Sequence, residues 1–446
     1  MKEQSVVRKF IKIVAPMVAQ NLLSSLVSAS DALMLGGLNQ SSLSAISLAT
    51  QVTFVINLFY WSLALGTTVL SAQYWGSGQK KKVEEVLCIV LGYAGMISVA
   101  FWAASLFCPG LLMRIFTYEE ELIALGIPYL RIVSWSYLCM GITHIYLCTM
   151  KNTERILRST IYSTAALLIN LVLNALLIFG LFGFPKLGIE GAALATVIAR
   201  AMELGMVLLE NRRKDVVAFR IKGILLRNKE LNRDFLKYTL PLLANYLAWG
   251  GGITMFSVIL GHLGSDAVAA NSIAGIVKNI VSCVCFGIGS GSGIMIGNVL
   301  GMGKLEEAKK LGGKLAKLAI IVGVFSGLVI LTASPVVVSL SKTLTPTAKH
   351  YLQIMLIVCS YYMIGKSVNG TVISGIFSAG GDTKFGMVCD IVTLWLIIVP
   401  LGFIAAFVWE LPVLWVYVLL NIDELIKLPA VYINFKKYNW VKNLTK

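Results

Sequence analysis

Long apolar runs, separated by short clusters of Gly, Pro and charged residues, dominate the chain. Each run is at least as long as the ~20 apolar residues that a helix needs to cross a bilayer. The pattern therefore predicts an all-α integral membrane protein with twelve transmembrane helices. The predicted spans are 11–37, 46–75, 86–109, 121–149, 157–181, 188–210, 236–262, 269–299, 314–338, 348–376, 384–408 and 411–433.

Composition narrows the class of protein. Of 446 residues, 57% are hydrophobic and 13% are charged, whereas about a quarter of the residues in a soluble protein are charged. These proportions exclude a soluble enzyme, a nucleic-acid-binding protein and a disordered hub. The first apolar run is long and lacks a small-residue cleavage site, so we expect a transmembrane helix there and not a removed signal peptide.

The basic residues indicate the orientation of the helices. The net charge is +16, and Lys and Arg concentrate at the termini and in alternate loops, with nine of them from Arg212 to Lys237. Because positively charged loops stay in the cytoplasm, we predict a multi-pass protein of the cytoplasmic (inner) membrane with both termini cytoplasmic. The positive charge then requires no nucleic-acid partner. The opposite loops hold four basic residues, Arg114, Lys186, Lys342 and Lys349.

The two halves of the chain repeat each other. A shift of 225 residues pairs Pro16 with Pro241, and six helices per half give both halves the same topology. An axis along the membrane normal is then expected to relate two six-helix bundles as a pseudo-twofold. The same shift pairs Gly36 with Gly261, Gly76 with Gly301, and Gly78 with Gly303. The predicted domains are an N-terminal lobe (1–210), a cytoplasmic basic linker (211–234) and a C-terminal lobe (235–446).

This duplicated frame favours a transporter that works by alternating access. A channel of this kind would more often assemble from separate subunits, and no filter-like motif is present. An intramembrane enzyme would need a catalytic set such as paired membrane aspartates or HExxH, and neither occurs. The three histidines are scattered and no CxxC is present, so we expect no metal site and no cofactor.

Asp31 is the first candidate for chemistry. It lies deep in the first span without a basic neighbour in sequence, and the equivalent position in the second half is Phe256. Because a charge inside a membrane is costly, such a carboxylate indicates function. It can exchange a proton or supply an oxygen ligand to Na⁺. The alternative is a structural aspartate held by hydrogen bonds.

Neutral polar residues on the fifth and sixth spans are candidates for the same site. Asn170 and Asn174 are spaced i, i+4 and share one helix face, and Thr196 lies on the next span. These groups can coordinate a cation or bond a protonated Asp31. Alternatively, they hold neighbouring helices together, at about 1 kcal/mol each.

Two lysines inside predicted spans lack an obvious local partner. Lys278 and Lys366 are therefore expected to pair with a carboxylate across the cavity or to bind an anionic substrate group. The other membrane charges are predicted to form the local pairs Arg200–Glu203 and Asp423–Lys427, with Asp390 at the interface.

Two prolines interrupt the first helix of each lobe. Pro16 and Pro241 each remove a backbone hydrogen bond, so these helices can bend. A bend beside Asp31 would couple protonation to the shape of the cavity, and a static kink is the alternative.

Short motifs occur in a fixed order on the duplicated frame. The motifs are Pro16…Asp31…Gly36, Ala72-Gln73…Gly76-x-Gly78 with its copy Asn298…Gly301-x-Gly303, Asn170…Asn174…Phe179-Gly180, Gly188–Thr196 and Ser378–Lys384. Taken together, they resemble the multidrug and toxin extrusion (MATE) family of secondary transporters over nearly the whole chain. The resemblance implies efflux of organic, often cationic, compounds driven by H⁺ or Na⁺.

The resemblance also implies a cation-coupling site made of Asp31, Asn170, Asn174 and Thr196. The family commonly has a second aspartate where this chain has Asn174, and this difference disfavours strong Na⁺ binding. Some relatives instead use carboxylates on helices 7 and 10, where this chain has none. The expected coupling ion is therefore H⁺, bound at Asp31, ahead of Na⁺.

We thus expect a monomeric antiporter whose partners are a small organic substrate and membrane lipid. The alternative is a lipid-linked oligosaccharide flippase of the same broad superfamily. Such a flippase often has a basic cavity for pyrophosphate, so Lys278 and Lys366 in a cavity lining would favour it. Twelve spans argue against it, because flippases often carry extra helices.

Overall fold

The computed structural model describes residues 3–36, 40–213, 215–220, 223, 228–342 and 344–445. Within these ranges the regular elements are all helices. Part of the predicted linker 211–234 lies outside the described residues. The helices are α1 (Glu3–Gly36), α2 (Gln40–Gly76), α3 (Lys80–Phe107), α4 (Pro109–Arg114), α5 (Glu120–Asn152), α6 (Ile156–Phe179), α7 (Gly188–Asn211), α8 (Lys229–His262), α9 (Ser265–Gly301), α10 (Leu305–Leu340), α11 (Pro346–Phe377), α12 (Thr383–Val408), α13 (Val413–Leu420) and α14 (Asp423–Lys437).

The predicted helical membrane fold is confirmed, with one difference at the last span. In the described chain, eleven helices are long and apolar enough to cross a membrane. The twelfth predicted segment, 411–433, is divided into α13 and α14. At the division, both the backbone N–H and the side-chain amide of Asn421 donate to the Tyr417 carbonyl, at 3.1 and 2.9 Å. A side chain that bonds its own helix in this way competes with helix continuation.

The described residues form two compact units, which we treat separately. Unit 1 contains Met1–Asn21, Ala72–Ser77 and Leu236–Lys446, and unit 2 contains Leu22–Ser71 and Gly78–Phe235. The short N-terminal parts of unit 1 are the beginning of α1 and the end of α2. The predicted lobe boundaries stay a prediction.

Buried hydrogen bonds join α2, α3 and α5 in unit 2. The Tyr60 hydroxyl bonds the Ser98 hydroxyl at 2.7 Å and donates to the Tyr137 carbonyl at 3.1 Å. The Tyr137 hydroxyl in turn bonds Thr53 at 2.9 Å. Each of these buried hydroxyls has a partner, as burial of a polar group in an apolar core requires. α5 also packs against α7.

A tight turn sets α6 beside α7. α6 ends at Gly180, whose φ of 71° lies in the left-handed region that glycine adopts without strain. The chain then returns so that Leu187 N donates to the Leu177 carbonyl at 2.9 Å. At Gly191, a β-carbon would lie 2.6 Å from that same carbonyl oxygen. This close contact of the two backbones places the face of α6 that carries Asn170 and Asn174 opposite α7.

The ends of α2 and α9 cross in unit 1 through a reciprocal contact. A β-carbon at Gly76 would overlap the Asn298 carbonyl oxygen, and one at Gly301 would overlap the Gln73 carbonyl oxygen. The shift of 225 residues that relates the two halves converts Gln73 into Asn298 and Gly76 into Gly301. Small residues at these positions let the backbones touch, as in other close helix pairs in membranes.

The C-terminal segment packs against the same crossing. The Gln73 amide donates to the carbonyls of Ala379 and Lys442, at 2.7 and 3.1 Å, and its oxygen accepts from Leu444 N at 2.7 Å. Trp440 is fully buried and stacks on Phe435 with 5.5 Å between ring centroids. The end of the chain is thereby fixed to the end of α2.

Candidate functional site

The four residues predicted to form a coupling site lie in one hydrogen-bonded network in unit 2. Asn174 Nδ2 on α6 donates to Asp31 Oδ1 on α1 at 2.8 Å and to Asn170 Oδ1 at 3.3 Å. Asn170 Nδ2 in turn donates to Thr196 Oγ1 on α7 at 3.3 Å. The i, i+4 spacing of the asparagines and the close α6–α7 contact bring the four side chains together. Their functional role stays a prediction.

Asp31 has only neutral partners in the part of the chain that the structure describes. No ion pair within 4.0 Å involves it there, and the one hydrogen bond to its side chain comes from the Asn174 amide. The side chain is half-buried, so it keeps access to its surroundings. A carboxylate in this setting attracts a proton or a small cation, because either one removes an uncompensated charge.

The oxygen atoms of the network have spare acceptor capacity. Asn174 is 3% exposed, and its Oδ1 atom has no hydrogen-bond partner among the residues that the structure describes. Thr196 Oγ1 donates its own proton to the Ala192 carbonyl at 3.0 Å. Its lone pairs are therefore available to accept the hydrogen bond from Asn170. Carboxylate, amide and hydroxyl oxygens are ligands that suit a hard cation, and the same oxygens can accept a hydrogen bond from a protonated Asp31.

A second polar network lies in unit 1 and is centred on Lys427. Its ammonium contacts Asp390 at 2.7 Å, Asp423 at 3.5 Å and Glu424 at 3.6 Å. The Lys427 side chain is only 3% exposed. A buried ammonium is stable when carboxylates surround it. These three acids and Lys427 therefore form one buried ion-pair network.

Lys366 completes this network from α11. Its ammonium lies 3.3 Å from Glu424 Oε1, while Asn369 Nδ2 donates to Glu424 Oε2 at 2.7 Å. Asn369 also donates to the Glu424 backbone carbonyl at 2.7 Å. At Gly365, a β-carbon would lie 2.8 Å from the Glu424 β-carbon. One face of α11 therefore holds the first turn of α14 in place.

Lys278 on α9 contacts Asn421, where the last predicted span is divided into α13 and α14. Its ammonium donates to Asn421 Oδ1 at 3.3 Å and lies 4.7 Å from the centre of the Tyr362 ring. Among the described residues, no carboxylate lies within 4.0 Å of it. The two predicted cavity lysines thus differ: Lys366 has a carboxylate partner and Lys278 has neutral partners. Whether they line a substrate cavity stays a prediction.

The predicted local ion pairs are confirmed, and Asp390 has a partner that the sequence does not indicate. Arg200 pairs with Glu203 at 2.8 Å, and Asp423 pairs with Lys427 at 3.5 Å. The Asp390 side chain is 14% exposed and pairs with Lys427, and its position at the membrane interface stays a prediction. Packing of α12 on α14 brings together residues far apart in sequence, and no local pattern reveals that contact.

Glu424 is the network residue that the sequence reasoning missed. It follows Asp423 directly and precedes Lys427 by three residues, so three charges fall within five positions of an apolar run. That density is itself unusual inside a membrane span. Taken as a group, the three charges would have predicted a buried network.

The two predicted bending residues, Pro16 and Pro241, lie inside the continuous helices α1 and α8. Their role in bending stays a prediction.

Within the described residues, eleven long apolar helices with polar networks buried among them form the architecture of a multi-pass membrane protein. The family model MatE matches residues 16–176 and 242–434, which is most of both halves. The chain therefore belongs to the MatE family, the MATE transporters. It is a transporter and not an enzyme.

Relatives in bacteria extend the match over nearly the full chain. The "Probable multidrug resistance protein NorM" of Thermotoga maritima is 22% identical over 98% of this chain and 93% of its own. NorM of Rhizobium meliloti is 26% identical over 89% and 85%. An uncharacterized transporter of Bacillus subtilis, YisQ, is 23% identical over 92% and 90%. Names of this kind do not favour the flippase alternative.

Solved structures of MATE transporters share the fold. An outward-facing multidrug resistance MATE family transporter matches with a TM-score of 0.87 and 17% identity, over 97% of this chain and 95% of the other. A mutant of the Vibrio cholerae MATE transporter VcmN matches with a TM-score of 0.87 and 16% identity, over 98% and 99%. At these identities the likeness establishes the fold alone.

Proposed function

We propose that the protein is a secondary antiporter that exports small organic, often cationic, compounds from the cytoplasm in exchange for H⁺ or Na⁺. Asp31 is the coupling residue, and Asn170, Asn174 and Thr196 supply the neutral groups around it. The observation that carries this proposal is the bond of 2.8 Å from Asn174 to a carboxylate with no cationic partner among the described residues.

The single carboxylate of this network favours H⁺ as the coupling ion. One proton neutralises Asp31 completely, and the hydroxyl that forms can donate to a neighbouring amide oxygen. A sodium ion would need several oxygen ligands in place of its hydration shell, and Asn174 supplies an amide where a second carboxylate would bind more strongly. Na⁺ remains the alternative ion, and the experiment below separates the two.

The mechanism follows from the hydrogen bonds of Asp31. In the ionised state its Oδ1 atom accepts from Asn174, and a proton bound at Oδ1 makes that atom a donor. Asn174 must then turn its oxygen toward Asp31, which alters its bond to Asn170. We propose that this change bends α1 near Pro16 and disfavours bound substrate in the outward-facing state. Protonation and substrate binding then oppose each other, as antiport requires.

The test is efflux of a fluorescent cationic dye from proteoliposomes that contain the purified full-length chain. Proton and sodium gradients are imposed separately, in wild type and in Asp31→Asn. We expect wild-type efflux to follow one gradient and the variant to lose that dependence. Asp234→Asn is the matched control, because Asp234 is exposed on α8 and its charge should not matter.

Two results would contradict the proposal. Full gradient-driven efflux in Asp31→Asn would mean that another group couples transport. Absence of gradient-driven movement in wild type, for a panel of organic cations, would contradict antiport itself.

We further propose a monomer in the cytoplasmic membrane with both termini in the cytoplasm. The support is the concentration of Lys and Arg at the termini and in alternate loops. Reporter fusions at residue 446 and in the loop at Lys342 test this topology: we expect a cytoplasmic signal from the first and an extracytoplasmic signal from the second.

A further inference from the structure

Three arginines surround one buried glutamate where α6 begins and α7 ends. The side chain of Glu210 on α7 is fully buried, and its Oε1 atom accepts from Arg155 and Arg158 at 3.3 and 3.1 Å. Its Oε2 atom contacts Arg213 at 3.1 Å and accepts from the Tyr162 hydroxyl at 2.8 Å. All of these residues lie in unit 2. Because a carboxylate offers about four acceptor positions, Glu210 has none left for a further donor.

The arginine cluster keeps two positive charges that its own acid does not balance. Three guanidinium groups face one carboxylate, and in the described part of the chain no other carboxylate lies within 4.0 Å of them. Each guanidinium has five N–H donors and uses one of them on Glu210. Arg155 donates another to the Asp215 carbonyl. Most donors of the cluster can therefore bind a further anion.

Exposure gives the three arginines different roles. Arg155 is 25% exposed, and its two contacts hold it between Glu210 and the Asp215 carbonyl. Arg158 and Arg213 are 48% and 54% exposed, and their contacts to Glu210 fix their position. Since both contact the same carboxylate, one ligand headgroup can reach both. Arg155 is thus a positioning residue, and Arg158 and Arg213 are the residues that can bind a ligand.

The beginning of α6 adds to the attraction for an anion. This helix of 24 residues begins at Ile156, and its N-cap residue, Arg155, makes no side-chain cap. The N-terminal end of a helix carries partial positive charge from its unpaired N–H groups, and Arg158 lies in the same turn. Cations at such an end are unfavourable by themselves. The single carboxylate of Glu210 offsets only part of this charge.

Apolar side chains beside the cluster indicate the source of that anion. Leu157 and Ile161 on α6 are 65% and 52% exposed, and Leu209 on α7 is 66% exposed. On membrane helices, exposed apolar side chains face the lipid chains. Ile161 is three residues from Arg158 and shares its helix face. The arginines therefore lie where apolar surface ends and charged surface begins, which is the depth of the lipid phosphates.

We propose that Arg158 and Arg213 bind the headgroup of an anionic phospholipid that carries two phosphate groups, with its acyl chains along Leu157 and Ile161. The planar guanidinium matches phosphate oxygens and can form two parallel N–H···O bonds to each phosphate. Two phosphodiester charges balance the two charges that Glu210 leaves. Basic pockets between membrane helices bind such headgroups at the cytoplasmic surface, where the proposed topology places this end of α6.

The test is lipid binding to the purified, delipidated full-length chain, measured by native mass spectrometry. The probes are diphosphatidylglycerol with two phosphate charges, phosphatidylglycerol with one, and phosphatidylcholine with no net charge. We expect the Kd of diphosphatidylglycerol to be at least about tenfold lower than that of phosphatidylcholine, with phosphatidylglycerol between them. Equal Kd values for the three lipids would overturn the site, and equal values for the two anionic lipids would overturn its preference for two phosphates.

Variants assign the binding to the arginines. Arg158→Gln and Arg213→Gln should each raise the Kd of diphosphatidylglycerol about tenfold and leave that of phosphatidylcholine unchanged. Arg158→Lys keeps the charge without the planar donor group, so it should raise the Kd less. Lys304→Gln is the matched control, because Lys304 is 49% exposed and faces a single acid, Glu307. An equal loss of binding in Lys304→Gln would mean nonspecific attraction to positive charge and would overturn the site.

A further variant leaves every contact of Glu210 in place. Leu157→Glu puts a carboxylate on the exposed surface beside Arg158, so it should repel the phosphate and reproduce the effect of Arg158→Gln. Leu157→Gln is the neutral control and should bind lipid as wild type does. This pair keeps the test valid if the arginine variants fail to fold, as judged by size-exclusion chromatography. Wild-type binding of diphosphatidylglycerol to Leu157→Glu would contradict the proposal.

A cluster that only holds α6 and α7 together would give a different result. Arg158→Gln would then lower thermal stability and leave the ratio of the lipid Kd values unchanged, which would overturn the proposal. Inorganic phosphate tests the other source of the same anion. Because it lacks acyl chains, we expect it to bind more weakly than diphosphatidylglycerol, and an equal or lower Kd would overturn the lipid assignment. These measurements need no ion gradient, so their outcome is independent of the antiport proposal.

Discussion

At the scale of single residues, the two networks solve the problem of buried charge in different ways. Within the described part of the chain, Asp31 has one side-chain hydrogen bond, from a neutral amide, so its charge is weakly compensated and responsive to a cation. Glu424 has Lys366, Lys427 and Asn369 around it, so its charge is well compensated and fixed. A residue that must gain and lose a cation belongs in the first kind of setting.

Asn174→Asp is expected to increase the Na⁺ dependence of transport. The variant places a second carboxylate next to Asp31, and two adjacent carboxylates repel unless a cation lies between them. Initial rates of dye efflux should therefore rise with an imposed Na⁺ gradient more than in wild type. The double variant Asp31→Asn/Asn174→Asp has one carboxylate again and should lose this gain. An unchanged sodium response in Asn174→Asp would mean that the site does not bind Na⁺ through these oxygens.

Glu424→Gln is expected to destabilise the protein strongly. Removal of one partner from a buried ion pair costs about 3–5 kcal/mol, because a charge is left uncompensated. Thermal unfolding in detergent should show the loss, and the double variant Lys366→Met/Glu424→Gln should recover part of it, because the unpaired lysine is then gone. Glu306→Gln, at the exposed pair with Lys309, should have little effect. Equal stability of Glu424→Gln and wild type would show that the network does not hold α14.

The residues of the Asp31 network in unit 2 could be predicted from sequence, because each is recognised from its own apolar run. Asn170 and Asn174 share a face by their spacing, and Asp31 is a lone acid in an apolar run. In the structure Asn174 donates to both Asp31 and Asn170, and the role of these residues in coupling stays a prediction. Asp390 could not be placed in this way, since its partner Lys427 lies on another helix and only packing brings the two together.

At the scale of helices, the length of each apolar run predicts well that a helix is present. It predicts poorly whether that helix is continuous. The run 411–433 is apolar enough to suggest one span, yet it is divided at Asn421 and Ile422. The division depends on a side-chain bond to Tyr417 and on the charges that follow, which a hydropathy pattern averages away. Two further irregularities, the π-helical turns Gly370–Phe377 and Val392–Ile398, begin just after Asn369 and Asp390, and such turns often occur at functional sites.

Gly76→Ala is expected to destabilise the protein, because the added methyl group would overlap the Asn298 backbone. Overpacking of this kind typically costs about 1–3 kcal/mol. Gly95→Ala on α3 is the matched control: nothing lies within 4 Å of the new carbon, so alanine should be neutral or slightly stabilising in the helix. Differential scanning fluorimetry compares the two variants. A midpoint for Gly76→Ala at or above that of Gly95→Ala would contradict the close crossing.

At the scale of the whole molecule, the C-terminal segment joins distant parts of the chain. Gln73 contacts Lys442 and Leu444 across more than three hundred residues of sequence. Such contacts arise only in the complete fold, and no motif in the last residues of the chain predicts them.

Trp440→Ala is therefore expected to lower stability well beyond an ordinary terminal substitution. The side chain is fully buried against Phe435 and Gly312, and loss of a buried tryptophan typically costs about 3–5 kcal/mol. Trp415→Ala, at a tryptophan that is 64% exposed within the described fold, provides the comparison. Thermal unfolding that is equally affected by both substitutions would show that the segment is not docked.

The divided last span also constrains how the protein is made. Asp, Lys and similar charges at the centre of a span each oppose membrane insertion by roughly 2.5–3.5 kcal/mol on the translocon scale, and Asp423, Glu424 and Lys427 stand together in α14. The partners that neutralise them, Lys366 and Asp390, lie on α11 and α12, which the ribosome completes earlier. The final segment thus enters a bilayer that already contains its counter-charges. We therefore expect ordered biogenesis, in which α14 integrates into the bilayer after α11 and α12.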